Sequence, residues 1–187
     1  MKSIATIVFF NILLSGFAVG QAVTPDLQDM NKWTLNNRAA EPFNEDGKKG
    51  IRLSEVPNDG IMILKDLEFG EGTIEVDIRG KNVLQQSFVG VAFHIQDVNT
   101  YDAIYFRPFN FMNSDTARRR RAVQYVSMPN YPWEKLRQDY PGKYENTVQP
   151  VPNPDGWFHV KIVVAGKRIR VFVDNSQTPS LEVEKLT

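Results

Sequence analysis

The chain has 187 residues, with 22 basic side chains, 22 acidic side chains and no cysteine. This length is enough for one domain with its own hydrophobic core. The balanced charge gives no reason to expect nucleic acid or an anionic membrane as partner, and the lack of cysteine excludes thiol catalysis, cysteine-ligated metals and disulfides.

The N-terminal residues predict a secretory signal peptide. Lys2 gives a short positive start, and residues 4–19 form an apolar stretch that ends among small residues. This stretch is shorter than the ~20 apolar residues that span a bilayer, so it predicts cleavage and no membrane span. We therefore assign residues 1–22 to a signal peptide and residues 23–187 to one domain, and we expect a secreted or periplasmic protein.

After residue 29, almost every regular segment predicts a β-strand. Thr73–Arg79 is typical, because apolar and polar residues alternate strictly along it. The strand candidates in chain order are residues 33–35, 50–53, 60–64, 73–79, 89–95, 101–107, 122–127, 157–164, 168–173 and 181–185. Helical periodicity is weak and confined to residues 134–138. Many strands, regular turns and little helix predict an all-β antiparallel sandwich.

The run from Phe88 to Phe111 (FVGVAFHIQDVNTYDAIYFRPFNF) carries the clearest functional signal. It predicts two strands, each with one apolar face and one face free for other work. The free face combines small residues with rings and polar groups: Gly90, Ala92, His94, Tyr101, Ala103, Tyr105 and Arg107. A concave saccharide-binding sheet needs this combination, because flat aromatic faces stack on pyranose rings.

Residues 128–154 form one long irregular insert that holds six of the 11 prolines. A loop of this length in a compact domain is commonly a functional lid or wall. The alternative is a proline-stiffened cover over one end of the core.

With its strands laid out, the chain resembles the concanavalin A-like lectin/glucanase superfamily, the jelly-roll group that includes laminin-G-like modules. More narrowly, it resembles secreted bacterial proteins related to the 3-keto-disaccharide hydrolase domain. The matching segments are GTIEVDIRG (72–80), SFVGVAFH (87–94), YDAIYFRPFNF (101–111), AVQYVSMPNYPWEKLR (122–137), PGKYE (141–145) and WFHVKIVV (157–164). The resemblance implies a concanavalin A-like jelly-roll β-sandwich, a fold that carries lectins, hydrolases and adhesion modules alike.

One feature departs from the family pattern. Members usually close the sandwich with a strand that follows a glycine turn, whereas this sequence stops at Thr187, soon after LEVEK. Either the chain is a fragment or this member lacks its closing strands, and we expect truncation.

Laminarinase-type catalysis is not predicted. Glu75 and Asp77 resemble the start of the retaining-glucanase motif Glu-x-Asp-x-x-Glu, but Gly80 stands where the second glutamate belongs. Retention needs two carboxyl groups about 5–5.5 Å apart. We expect Glu75, Asp77 and Arg79 to form a cross-strand charge ladder instead.

Four candidates for saccharide hydrogen bonds come from the predicted strand pair, namely His94, Tyr105, Arg107 and Asn110. Arginine offers a planar fork of donors that suits vicinal hydroxyls, although Arg107 could equally pair with Asp97 or Asp102. His94 and Asn110 could equally be structural residues. We expect Arg107→Ala to abolish saccharide binding and leave the fold intact.

Further candidates lie in and before the insert. Tyr125, Trp133 and Tyr140 are predicted to stack on saccharide rings, and Arg137 to hydrogen-bond. If the protein is an enzyme, Glu145 or His94 is the candidate general acid or base.

Two other patterns concern anionic partners and metal ions. The run Arg118–Arg121 could contact an acidic polysaccharide or a phosphate surface, although an exposed hairpin tip is favoured. No cofactor is required and no metal-ligating residue is assigned. Calcium stays open, since Asp97, Asn99 and Asp102 supply some oxygen ligands.

The sequence therefore predicts a secreted carbohydrate-binding β-sandwich. The alternatives are a glycoside-processing hydrolase of the 3-keto-disaccharide hydrolase type and a protein-binding adhesion module. The sugar and the oligomeric state stay open.

Overall fold

A computed structural model of the chain describes residues 22–45 and 47–186. Apart from Ala22, the predicted signal peptide lies outside the described residues. The strands are β1 (Trp33–Asn36), β2 (Ala40–Glu45), β3 (Lys48–Leu53), β4 (Ile61–Leu64), β5 (Gly72–Arg79), β6 (Val89–Asp97), β7 (Thr100–Phe106), β8 (Val123–Met128), β9 (Glu145–Asn146), β10 (Trp157–Ala165), β11 (Arg168–Val173) and β12 (Leu181–Glu184). The helices are α1 (Pro108–Phe111), α2 (Thr116–Arg119) and α3 (Trp133–Asp139), with a 3₁₀ turn at Met30–Lys32.

The first large sheet has the order β12-β11-β10-β5, and all its neighbours are antiparallel. A tight turn at Gly166 joins β10 to β11, as the sequence predicted, and a second turn at Asp174 and Asn175 begins the seven-residue loop that joins β11 to β12. Gly166 has a φ of 56° in the first turn, and Asp174 and Asn175 also have positive φ in the second. Positive φ at Gly166 suits the right-handed twist of the two-residue hairpin between β10 and β11.

The second large sheet has the order β6-β7-β8-β9 and is also antiparallel. We call it the site sheet. The face that it turns toward the first sheet is its inner face, and the opposite face is its outer face.

The core lies between these two sheets. Phe106 on β7 meets Phe158 on β10 with ring centroids 5.2 Å apart, and Phe111 packs against both rings. The alternating apolar residues of β10, β11 and β12 are buried on the same side, including Val160, Ile169 and Leu181. Two antiparallel sheets that bury facing apolar rows form a β-sandwich, so the predicted fold class is confirmed.

The first sheet turns charged residues outward. In the register of β5 with β10, Glu75 faces Lys161 and Asp77 faces His159. Asp77 Oδ1 lies 2.9 Å from His159 Nδ1, and Lys48 on the β2–β3 hairpin also bonds Asp77. These contacts lower the pKa of Asp77, with the hydrogen bond from Lys48 as the largest cause. The predicted charge ladder is confirmed for Asp77, whereas Glu75 lies opposite Lys161 in the register only and Arg79 donates to the Asp155 carbonyl.

Two small sheets lie outside the sandwich layers. β2 pairs with β3, and Phe43 on β2 stacks on Trp157 with centroids 5.6 Å apart. β1 pairs with β4 and not with a C-terminal strand. None of the helices within residues 22–45 and 47–186 is long and apolar enough to cross a membrane.

The insert at residues 128–154 is more regular than predicted. It contains helix α3, whose Leu136 is buried at 1% exposure, and strand β9, which extends the site sheet beyond β8. Tyr144 and Val148 are buried as well. The segment is therefore an integral part of the second layer, because it adds both a strand and a covering helix.

Candidate functional site

The outer face of the site sheet carries one row of residues across all four strands. Gly90 on β6 pairs with Tyr105 on β7, Tyr105 with Gln124 on β8, and Gln124 with Glu145 on β9. Directly paired residues point to the same face, so these side chains share the outer face. We call this set the polar row. Gly90 is exposed, which leaves the β6 end of the row open.

Arg107 lies two residues after Tyr105 and holds the Tyr105 side chain of the polar row in place. Its Nη2 donates to the Tyr105 hydroxyl at 2.7 Å and its Nη1 donates to the Arg121 carbonyl at 2.8 Å. The guanidinium also lies 4.8 Å from the Tyr105 ring centroid. Burial raises the pKa of Tyr105 to about 12 and lowers the pKa of Arg107. Tyr105 is therefore a neutral phenol that Arg107 holds in place.

Gln124 is fixed by its neighbours on both sides. Its Nε2 donates to the carbonyls of Tyr125 and Tyr144 at 3.0 and 3.2 Å. Its Oε1 lies 3.5 Å from Arg107 Nη2. Gln124 is only 1% exposed. Its role is therefore to order the polar row, and it offers few hydrogen-bonding groups to solvent.

Glu145 and Arg137 form the strongest polar pair of the site. Arg137 Nε and Nη2 donate to the two Glu145 oxygens at 3.0 and 2.6 Å. Arg121 Nε lies 3.8 Å from the same carboxylate. Glu145 is 8% exposed, so both oxygens of a nearly buried carboxylate are held by a bidentate arginine.

Helix α3 brings an aromatic ring to this pair. Leu136 is the buried anchor of the helix, which packs on β8. Trp133 and Arg137 are one turn apart on α3, and the guanidinium lies 4.6 Å from the Trp133 ring centroid. Trp133 remains 40% exposed. The helix therefore places an exposed indole beside the Arg137–Glu145 pair.

An open groove of about 720 Å³ continues from this pair toward α2. Arg120, Arg121, Arg137 and Glu145 are among the residues that line it. The site thus combines an aromatic ring, a fixed polar row and an arginine-lined groove.

The structure places His94 elsewhere than predicted. A β-bulge between Phe93 and Asp97, with a positive φ of 51° at His94, interrupts the alternation. The ring therefore turns to the side of Asp102, with Nδ1 2.7 Å from Asp102 Oδ2 and Nε2 2.6 Å from the Gly70 carbonyl. The expected placement of His94 beside Arg107 on the outer face is wrong.

Tyr125 and Tyr140 are not in the polar row. Tyr125 is 0% exposed on the inner face, where its hydroxyl donates to Asp102 Oδ1 at 2.9 Å. A ring without exposed surface cannot stack on a saccharide, so the predicted stacking role of Tyr125 is wrong. Tyr140 is 38% exposed and packs edge-on against Tyr144 at 5.7 Å, next to Tyr125.

Arg107 and Asn110 are nearly buried, at 6% and 4% exposure. The donors of Arg107 bond the Tyr105 hydroxyl and the Arg121 carbonyl. Asn110 Nδ2 donates to that same carbonyl at 3.2 Å, and its Oδ1 has no hydrogen-bond partner among the described residues. Both residues hold the segment before β8 in place. The structure therefore does not support the expectation that Arg107→Ala leaves the fold intact.

Sequence reasoning missed Gln124 and the place of Arg121. Gln124 is a polar residue that alternates with Val123 and Tyr125 in a central strand, and this signal could have marked the outer face. The sequence predicts Arg121 in an exposed tip, whereas in the structure it lines the groove and lies near Glu145.

The oxygen ligands considered for calcium do not converge. Asp97 Oδ1 accepts from the Asn99 backbone N–H at 2.7 Å in the β6–β7 turn, while Asp102 bonds His94 and Tyr125. Across residues 22–45 and 47–186, no group of three or more histidines and carboxylates could hold a metal ion.

Comparison with known proteins identifies a matching family. The family model for the 3-keto-alpha-glucoside-1,2-lyase-like domain matches residues 24–187. No match was found among curated proteins or among solved structures.

Proposed function

Because the chain belongs to the 3-keto-alpha-glucoside-1,2-lyase-like family, within the concanavalin A-like superfamily, we propose that it binds a saccharide on the outer face of its site sheet. This family points to a saccharide-related function. The observation that carries the proposal is the meeting of exposed Trp133 with the fixed pair Arg137 and Glu145.

The chemistry of these groups suits a sugar. An indole ring presents a flat apolar face to the C–H groups of a pyranose, while guanidinium and carboxylate groups satisfy hydroxyls. The polar groups are already ordered by hydrogen bonds, so ligand binding costs little side-chain entropy.

The experiment is a glycan array and a thermal-shift screen of the wild-type protein, with Trp133→Ala and Glu145→Gln alongside. We expect at least one saccharide to raise the melting temperature of the wild type and to lose this effect in Trp133→Ala. Trp33→Ala is the matched control, because Trp33 lies on β1 in a separate two-stranded sheet. A folded wild type that binds no saccharide would refute the proposal and favour a protein-binding adhesion module.

A second candidate is a glycoside-processing hydrolase, and the buried carboxylate of Glu145 beside the groove favours it. General acid–base catalysis needs a carboxyl group with a free oxygen near the scissile bond. Both Glu145 oxygens accept from Arg137, which favours a binding role in this state. The Glu145→Gln variant separates the two candidates. A hydrolase turns over the bound saccharide and loses this turnover in the variant, whereas a binding module shows no turnover in either protein.

A further inference from the structure

The groove beside the polar row has an unusual charge. Three arginines line it, Arg120, Arg121 and Arg137, with Glu145 as their facing carboxylate. Arg137 neutralises Glu145 through two short hydrogen bonds, and Arg121 approaches the same carboxylate only to 3.8 Å. One carboxylate cannot balance three guanidinium groups, so the groove has excess positive charge.

The four consecutive arginines divide into two pairs with different surroundings. Arg118 pairs with Asp115 at 3.8 Å, and Arg119 donates to the carbonyls of Asn113 and Ser114. These two are occupied by local partners of α2. Arg121 and Arg120 line the groove instead, and no side-chain hydrogen bond or ion pair joins Arg120 to another described residue. Arg121, like Arg118, lies 3.8 Å from a carboxylate, so Arg120 is the guanidinium of this run that lacks a partner among the described residues.

A guanidinium fork suits carboxylate and sulfate oxygens, because two parallel N–H donors match two acceptor oxygens. The groove volume of about 720 Å³ exceeds what a small inorganic anion fills, and it lies within the ~300–1,000 Å³ range of sites for drug-sized ligands. The groove also continues directly from Arg137, which contacts the Trp133 ring. Ring and groove can therefore hold one molecule.

We propose that this groove selects acidic saccharides, binding a carboxylate or sulfate substituent through Arg120 and Arg121. This inference rests on the proposed saccharide binding and adds the substrate class to it. The neutral part of the ligand contacts Trp133 and the polar row, while its anionic substituent enters the groove.

The test is isothermal titration calorimetry with pairs of saccharides in which one member carries more anionic groups than the other. The probes are tetragalacturonate with its methyl ester, and a sulfated chondroitin tetrasaccharide with its desulfated form. The first pair tests a carboxylate and the second a sulfate. The variant is Arg120→Gln, with Arg118→Gln as control, because it removes the same charge from the same run outside the groove.

We expect the wild type to bind the more anionic member of at least one pair about tenfold tighter. Arg120→Gln should reduce this preference about tenfold, whereas Arg118→Gln should leave it within about twofold. Equal affinity for both members of each pair, or an equal loss in both variants, would overturn the inference.

The two proposals fail differently. Suppose that the methyl ester or the desulfated form binds as tightly as its more anionic partner, and that Trp133→Ala abolishes this binding while Arg120→Gln leaves it unchanged. Saccharide binding then stands and acid selection falls. If the folded wild type binds no saccharide in either screen, both fall.

Discussion

At the residue scale, Tyr125 joins separate parts of the chain through one hydroxyl group. The hydroxyl donates to Asp102 on β7 and accepts from the Leu186 backbone N–H at 3.2 Å. Burial raises the pKa of Tyr125, so the phenol stays neutral and keeps its proton for Asp102. The bulge at His94 brings an imidazole to the same carboxylate, which makes Asp102 the centre of a buried network.

Removal of this hydroxyl should destabilise the protein without touching the proposed site. We expect Tyr125→Phe to lower the free energy of unfolding by about 1–3 kcal/mol, because the buried Asp102 oxygen and the Leu186 N–H lose a partner. The measurement is urea denaturation monitored by circular dichroism.

Tyr140→Phe is the matched control, since Tyr140 is 38% exposed. Its unfolding free energy should stay within ~0.5 kcal/mol of the wild type. Equal effects of the two variants would show that the buried network contributes nothing.

At the element scale, strands β6 and β7 approach each other unusually closely at Gly90. A Cβ atom at this position would lie 2.6 Å from the Tyr105 Cα and would also meet the Ile104 carbonyl oxygen. These are backbone atoms of β7, so they cannot move without shifting the strand. The glycine therefore sets the distance between the two strands where Tyr105 enters the polar row.

We expect Gly90→Ala to destabilise the fold by about 1–3 kcal/mol, because the added methyl group forces β6 away from β7. Chemical denaturation measures this loss. Gly70→Ala is a suitable control, since a Cβ there meets nothing within 4 Å. A Gly90→Ala variant as stable as the control would mean that the strands can separate without loss of unfolding free energy.

At the scale of the whole molecule, stability depends on the aromatic contact between the two large sheets. Phe106, Phe111 and Phe158 meet edge to face with centroids 5.2 to 6.5 Å apart. Phe106 is 0% exposed, and no disulfide is available to compensate for its loss, since the chain has no cysteine.

We expect Phe106→Ala to cost about 3–5 kcal/mol of unfolding free energy, because it removes a buried ring and leaves a cavity between the sheets. Phe88→Ala deletes the same group from a position that is 53% exposed, and it should cost less than ~1 kcal/mol. Thermal and urea unfolding of the two variants measure the difference. Similar losses would argue against a core centred on the sheet interface.

The family itself could be recognised from linear segments such as YDAIYFRPFNF and AVQYVSMPNYPWEKLR, and the match over residues 24–187 confirms it. Part of the candidate site could also be predicted. Tyr105 lies on the face that its alternation indicated, and Trp133, Arg137 and Glu145 come together beside it.

The sequence by itself determined most of the strands, the tight turn between β10 and β11 and the sandwich, because alternation with period 2 and positive-φ turn residues are local properties of the chain. It did not predict β2 or β9. Only the tertiary structure decided which side chains meet. A bulge moved His94 to the inner face, and the pairing of β8 with β9 brought Gln124 beside Glu145, 21 positions later in the chain. Strand register and bulges depend on contacts between distant segments, so no local pattern of residues could specify them.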